Sequence, residues 1–230
     1  MKNLGRIASH PKLKTVREGR GLALLARDGY TFLDIGGFVG DMSHYFLERK
    51  PGNKVIIFEP VKRSYNFICH RFAKDRRVTV INKAVCDRTG VARFYTRLNR
   101  PACSTLMAAR RGSRDDIVDT ICLDDWMVDT NVDNIDTIKL DVEGAEHLIL
   151  KGGRKLIERV KPTIHMEYHG GNYDAILNEL EYLFDLGYYR YPLPKAHAHI
   201  CLYHNRFPLY AAINSHLNAY VHLVKPVSFL

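Results

Sequence analysis

The sequence predicts an α/β protein built on a doubly wound, mostly parallel sheet. Three observations carry this expectation. Short β-branched runs alternate with amphipathic segments from Tyr30 onward, the order that gives parallel strands joined by right-handed crossovers. The first run, within "FLDIGGFVGDMS" (Phe32 to Ser43), reaches Asp34 and then breaks into a turn holding Gly36, Gly37 and Gly40. The next run, "KVIIFE", also ends in an acid, Glu59.

Taken in order, "YTFLDI" is followed by a helix-like stretch from about 40 to 50 and "KVIIFE" by one from 61 to 74, with "RVTVINKAV" as the third strand. Residues 90–126 break the rhythm. There "GVARFYTRL" and "DTICLDDW" read as two strands flanking a polar, arginine-rich stretch from 99 to 116, an insertion suited to be a lid. The alternation resumes with "DTIKLDVEG", a helix from about 145 to 160, "PTIHMEYH" and a helix from 173 to 186. Strands around "YYRYPL" and "HAHICLYH", joined by the turn "PLPKA", form a hairpin that places an antiparallel pair at the sheet edge.

With 230 residues, 46% hydrophobic and 26% charged, the chain fits one domain over 1–230, with residues 1–29 as a basic arm and 90–126 inserted. No apolar run approaches the roughly 18 residues that span a bilayer, and the start "MKNLGRIASHPKLK" lacks the apolar middle of a signal peptide. A cytoplasmic location is expected. Cys69, Cys86, Cys103, Cys122 and Cys201 are odd in number and form no CxxC pair, which argues for buried thiols over a disulfide framework or zinc knuckle. The net charge of +9 gathers in the arm (Lys2, Arg6, Lys12, Lys14, Arg17, Arg20) and between Arg97 and Arg114. Such patches are either solvated surface or sites for phosphate or an anionic glycan.

In a doubly wound sheet, ligands sit beyond the carboxyl ends of the strands, where the strand order reverses. The glycine turn lies there. Glu59 stands 19 positions after Gly40 (59 − 40), where a carboxylate meets the two hydroxyls of a ribose. A dinucleotide-binding turn would read G-x-G-x-x-G and hold pyrophosphate at the helix N-terminus. This turn reads G-G-x-x-G with Asp34 two positions before it, an acid that repels pyrophosphate and attracts a cation. S-adenosylmethionine carries an ammonium and a sulfonium and no phosphate, so it suits the turn better.

"FLDIGGFVG", "VIIFEP", "NKAVCDRTG", "TIKLDVEGAEHLILKGG" and "PTIHMEYH", in this order and spacing from about Phe32 to Gly187, resemble the FkbM family of S-adenosylmethionine-dependent methyltransferases. The resemblance implies a class I methyltransferase (Rossmann-like) fold, a mostly parallel seven-stranded sheet with an antiparallel edge strand, and methyl transfer to oxygen, often a hydroxyl of a sugar or natural product. The chain departs from the family's first motif, D-V-G-A-N-x-G, at Gly37 and Phe38; the phenylalanine loses a polar contact near the cofactor.

By the resemblance and the sheet geometry, Asp34, Gly36, Gly37 and Gly40 line the methionine portion of the cofactor, Glu59 and Pro60 the ribose, and Ala84 and Val85 the adenine. Asp141 is expected beside the transferable methyl. Alternation places Asp141 and Glu143 on one side, and Glu167 and His169 on one side of the next strand; Glu143 and Glu146 share a helix face. Ordinary packing accounts equally well for Ala84, and a favourable helix-end charge for one of the glutamates.

Methyl transfer to an aliphatic hydroxyl needs alignment first, then a base or a metal. His169 has an ordinary pKa near 6.5, suited to a base at neutral pH. Asp141, Glu143 and Glu167 could instead hold Mg²⁺, although metal-free base catalysis is favoured. His197 and His199 lack a further ligand at suitable spacing. If Ser104, Thr105, Arg97, Arg100, Arg110 and Arg111 face the cleft, the acceptor is anionic or a glycan with acidic neighbours; if they face water they are only charge. Nucleic-acid methylation is an alternative, permitted by the basic patches but unsupported by any recognition motif. A catalytically silent binding module with the same fold is another, and a nicotinamide-dependent oxidoreductase ranks last because the glycine order is wrong.

Overall fold

A computed structural model describes residues 27–97, 104–107, 113–168, 172–191 and 199–204. His169, His197, Cys103, Arg100, Arg110, Arg111 and the arm up to residue 26 lie outside the described residues. Strand β1 (Thr31–Ile35) is buried at all five positions. It is followed by α1 (Asp41–Arg49), β2 (Lys54–Phe58), α2 (Lys62–Arg71) and β3 (Val78–Ile81). After an excursion described below come β7 (Thr137–Leu140), α4 (Glu146–Gly152), α5 (Arg154–Val160), β8 (Thr163–Glu167), α6 (Tyr173–Asp185), β9 (Tyr188–Tyr191) and β10 (His199–His204).

These strands form a seven-stranded sheet in the order β3-β2-β1-β7-β8-β10-β9. All neighbours are parallel except β10, which slots antiparallel between β8 and β9. The chain winds outward from β1 in one direction and from β7 in the other, so the order reverses between β1 and β7.

Both sheet faces are covered because the strands are apolar on both sides. Phe32, Val55 and Ile57 pack with Met42, Phe46 and Leu47 of α1 and Ile68 of α2. Leu33, Ile35, Ile138, Leu140 and Ile164 face Ile149, Leu156, Ile157, Ile176 and Leu180 of α4, α5 and α6. Phe58 meets Trp126 edge to face, with ring centroids 5.4 Å apart, a geometry that aromatic quadrupoles favour. No helix among the described residues is long and apolar enough to cross a membrane.

Three elements differ from the sequence expectation. "RVTVINKAV" is two strands: β3 stays in the main sheet, while β4 (Ala84–Cys86) joins a second sheet of order β4-β6-β5 with β5 (Gly90–Arg97) and β6 (Ser113–Cys122). Asn82 makes the break, its side-chain amide donating to the carbonyls of Glu59 and Pro60 at 2.8 and 3.0 Å. "DTICLDDW" stays a strand only to Cys122; Leu123, Trp126 and Met127 then recur at helical spacing behind Asp124 and Asp125, and α3 (Leu123–Thr130) results. The expected helix from 145 to 160 is split at Gly152 and Gly153. A Cβ at Gly152 would collide with the Cys86 carbonyl, and Gly153 ends α4 while its own carbonyl accepts from Ile157 N–H at 2.8 Å.

Candidate cofactor cleft at the switch point

Past the carboxyl ends of β1, β2 and β7 the backbone is drawn tight. Gly36 has φ +81°, and a side chain there would collide with the carbonyl oxygen of Asp141. The N–H groups of Gly36 and Gly37 both donate to the Phe58 carbonyl, at 3.0 and 3.2 Å. Gly40, also left-handed, begins α1. Glycine is required here by steric closeness and positive φ together.

A cleft, part of it open to solvent, lies over this junction. Ile35, Gly36 and Phe38 form one wall and Phe58, Glu59, Pro60 and Val61 the next. Lys83, Ala84 and Val85 close one end; Asp141, Val142 and Ala145 close the other. Phe94 of β5, with Ser104 and Leu106 from the segment between β5 and β6, covers it. That cover is anchored: Thr105 and Tyr95 exchange backbone hydrogen bonds at 2.8 and 3.1 Å, and the Thr105 hydroxyl donates to the Glu143 carbonyl at 3.0 Å.

Glu59 is 5% exposed, yet both carboxylate oxygens are engaged: Phe38 N–H donates to Oε2 and Val61 N–H to Oε1, each at 2.8 Å. Burial pushes its carboxyl from the ordinary 4.5 up to about 7, against the two N–H donors and the Lys139 charge, which pull it down.

Asp34 does not reach the cleft wall. It is fully buried, accepting from the Ser43 hydroxyl at 2.6 Å and from Lys139 Nζ at 3.2 Å. Lys139 Nζ also donates to the Gly36 carbonyl at 2.9 Å and lies 3.6 Å from Asp141 Oδ2. Burial alone would lower the Lys139 pKa, but the Asp34 and Asp141 carboxylates outweigh it and hold the ammonium above the ordinary lysine range. Lys139 was missed in the sequence. Its signal was one lysine inside the apolar run "TIKL", in the strand that pairs with the one carrying Asp34.

Of the residues expected at the cofactor, Gly36, Glu59, Pro60, Ala84, Val85 and Asp141 lie in the cleft wall, whereas Gly37 and Gly40 pack behind it against Ile57 and Phe72. Among the expected catalytic residues, Asp141 lines the cleft; Glu143 and Glu167 are outside its described lining. Glu143 does not follow strand alternation with Asp141, because β7 ends at Leu140 and Glu143 is left-handed at φ +57°. It also precedes α4, which starts at Glu146, so the two glutamates do not share a helix face. Among the described residues no three His, Cys, Asp or Glu side chains are grouped so as to hold a metal ion, and the Mg²⁺ option on Asp141, Glu143 and Glu167 gains no support.

Three comparisons extend the geometry. A protein from Sinorhizobium fredii named 2-O-methyltransferase NoeI is 25% identical over 162 residues, 64% of this chain and 66% of that protein. The crystal structure of methyltransferase FkbM from Methylobacillus flagellatus superposes with a TM-score of 0.53 at 19% identity, covering 78% of this chain and 44% of that one. A Clostridium thermocellum protein assigned as an rRNA-methylase superposes with a TM-score of 0.52 at 11% identity, covering 82% and 93%. At these identities the two structures show a shared fold alone, and this chain spans just under two thirds of NoeI and less than half of the Methylobacillus protein. The model of the methyltransferase FkbM domain matches residues 26–190, most of the chain and the whole switch-point cleft. The chain therefore belongs to the FkbM methyltransferase family.

Proposed function

We propose that this methyltransferase moves a methyl group from S-adenosylmethionine to a hydroxyl of a sugar, a glycan or a small natural product. The observation that carries the cofactor reading is Glu59, a carboxylate pinned by two backbone N–H groups in the wall of the switch-point cleft. Each of its oxygens keeps a second lone pair, so a ribose diol could donate to the carboxylate without displacing either N–H. Pro60, Ala84 and Val85 offer an apolar wall to adenine, and Asp141 a negative end to the cationic methionine portion. The bound cofactor would supply an electrophilic methyl group. The protein's own share is alignment, which alone can reach effective molarities of about 10⁵–10⁸ M.

On the acceptor side we assign Asp141 to orient the hydroxyl and His169 to take its proton, with Glu143 and Glu167 as further polar contacts. Transfer to oxygen is supported by the likeness to NoeI, a 2-O-methyltransferase, and the chain's basic charge suits an anionic acceptor. The test is incubation with methyl-labelled S-adenosylmethionine and parallel panels of glycans and RNA. Label recovered as a base-stable methyl ether on a sugar is the expected result. Label on RNA would favour the nucleic-acid alternative, and S-adenosylmethionine binding without transfer to any acceptor the silent module.

A further inference from the structure

We infer, resting on the cofactor reading above, that Lys139 is a positioning residue whose ion triad with Asp34 and Asp141 sets the charge of the cleft. The pocket thereby favours cationic S-adenosylmethionine over S-adenosylhomocysteine, which lacks one methyl group and one positive charge.

Asp34 on β1 and Lys139 on β7 are direct partners in the parallel ladder at the switch point. Lys139 is 6% exposed, and its ammonium donates to Asp34 Oδ1 and the Gly36 carbonyl and pairs with Asp141 Oδ2 at 3.6 Å. The lysine thus ties the two strand ends together beneath the cleft. Stability does not explain it, because replacing a buried ion pair with well-packed neutral residues is often neutral or stabilising. The arithmetic of charge does. Two carboxylates and one ammonium sum to one negative charge, and only the outermost acid, Asp141, reaches the cleft, with 34% of its side chain exposed. A cation in the cleft meets that charge at its exposed end, an attraction that low salt leaves least screened. Without Lys139 the two acids would repel; without Asp34 the lysine would cancel Asp141.

The test titrates S-adenosylmethionine and S-adenosylhomocysteine separately into wild type and variants by calorimetry, at low salt and about pH 8, above the value of about 7 at which Glu59 of the same cleft titrates in wild type. Asp34→Asn leaves the triad neutral and should shift the ratio of the two affinities against S-adenosylmethionine by about fivefold or more. Asp34→Asn combined with Lys139→Met restores the single negative charge on Asp141 and should return the ratio to within about twofold of wild type. Should Asp34→Asn fail to fold, Asp141→Asn neutralises the triad at its exposed end and is expected to shift the ratio the same way. An unchanged ratio in the neutralised variants, with both ligands still bound, would overturn the inference and leave the cofactor reading standing. A ratio that stays shifted in the double variant would also overturn it, since a merely structural lysine is not rescued by its own removal. Wild type binding neither ligand would overturn both.

Discussion

Phe38 sits at φ +51°, a left-handed conformation that costs a bulky residue energy and that asparagine tolerates well. In the sequence it read as the loss of a polar side chain beside the cofactor. In the structure its polar task falls to the backbone N–H, which holds Glu59, while the residue itself lines the cleft. Phe38→Asn is accordingly expected to raise stability by about 1 kcal/mol, read from the urea midpoint. Glu59 carries a second expectation at this scale. Its folded carboxyl titrates at about 7 against an ordinary 4.5, so between these values the folded state binds more protons than the unfolded chain. Its contribution is complete below about pH 4.5 and is lost as pH rises through 7, a loss of about 3 kcal/mol at most. The ligand-free protein should therefore melt lower at about pH 8 than at about pH 5, and Glu59→Gln should flatten that difference. A diol donating to the carboxylate favours the ionised form, so cofactor binding should tighten over the same rise in pH and release a proton below 7. Equal melting-curve differences in wild type and Glu59→Gln would contradict the assignment.

Among the elements, the strand-to-helix handovers were legible because their signals are local. Gly36 and Gly40 punctuate the first, Glu59 and Pro60 the second, and each sits where the sequence placed it. What was not legible depends on distant partners. Nothing within "RVTVINKAV" states that Asn82 will bond two carbonyls of the preceding loop and send Ala84 to another sheet. Gly152 is helical by local pattern, and its need to be glycine comes from Cys86, far away in the chain. Local φ and long-range closeness can be separated by experiment. Gly29 and Gly36 have nearly equal φ, +82° and +81°, but a Cβ at Gly29 meets nothing within 4 Å. Gly29→Ala should cost about 1 kcal/mol from backbone strain alone, whereas Gly36→Ala, which also forces β1 away from Asp141, should cost at least about 3 kcal/mol. Thermal unfolding of the two variants side by side checks this; equal losses would mean that the strand ends are not in close contact.

Across the whole molecule, the alternation of strands and helices fixes a sheet whose order reverses between β1 and β7, and that reversal opens the cleft. The cleft wall was largely readable because it is built from strand ends, at positions that follow from the strand pattern. The charge beneath it was not, because Asp34 and Lys139 are 105 residues apart and become one feature only when β1 pairs with β7. The central claim is that Glu59 holds the ribose of S-adenosylmethionine in this cleft. Calorimetric titration of S-adenosylmethionine into wild type and Glu59→Ala at about pH 8 tests it directly. Saturable one-to-one binding by wild type, weakened about tenfold or more by the substitution, is the expected result for the loss of hydrogen bonds to a charged group. No binding by wild type, or equal affinity in the two proteins, would contradict it.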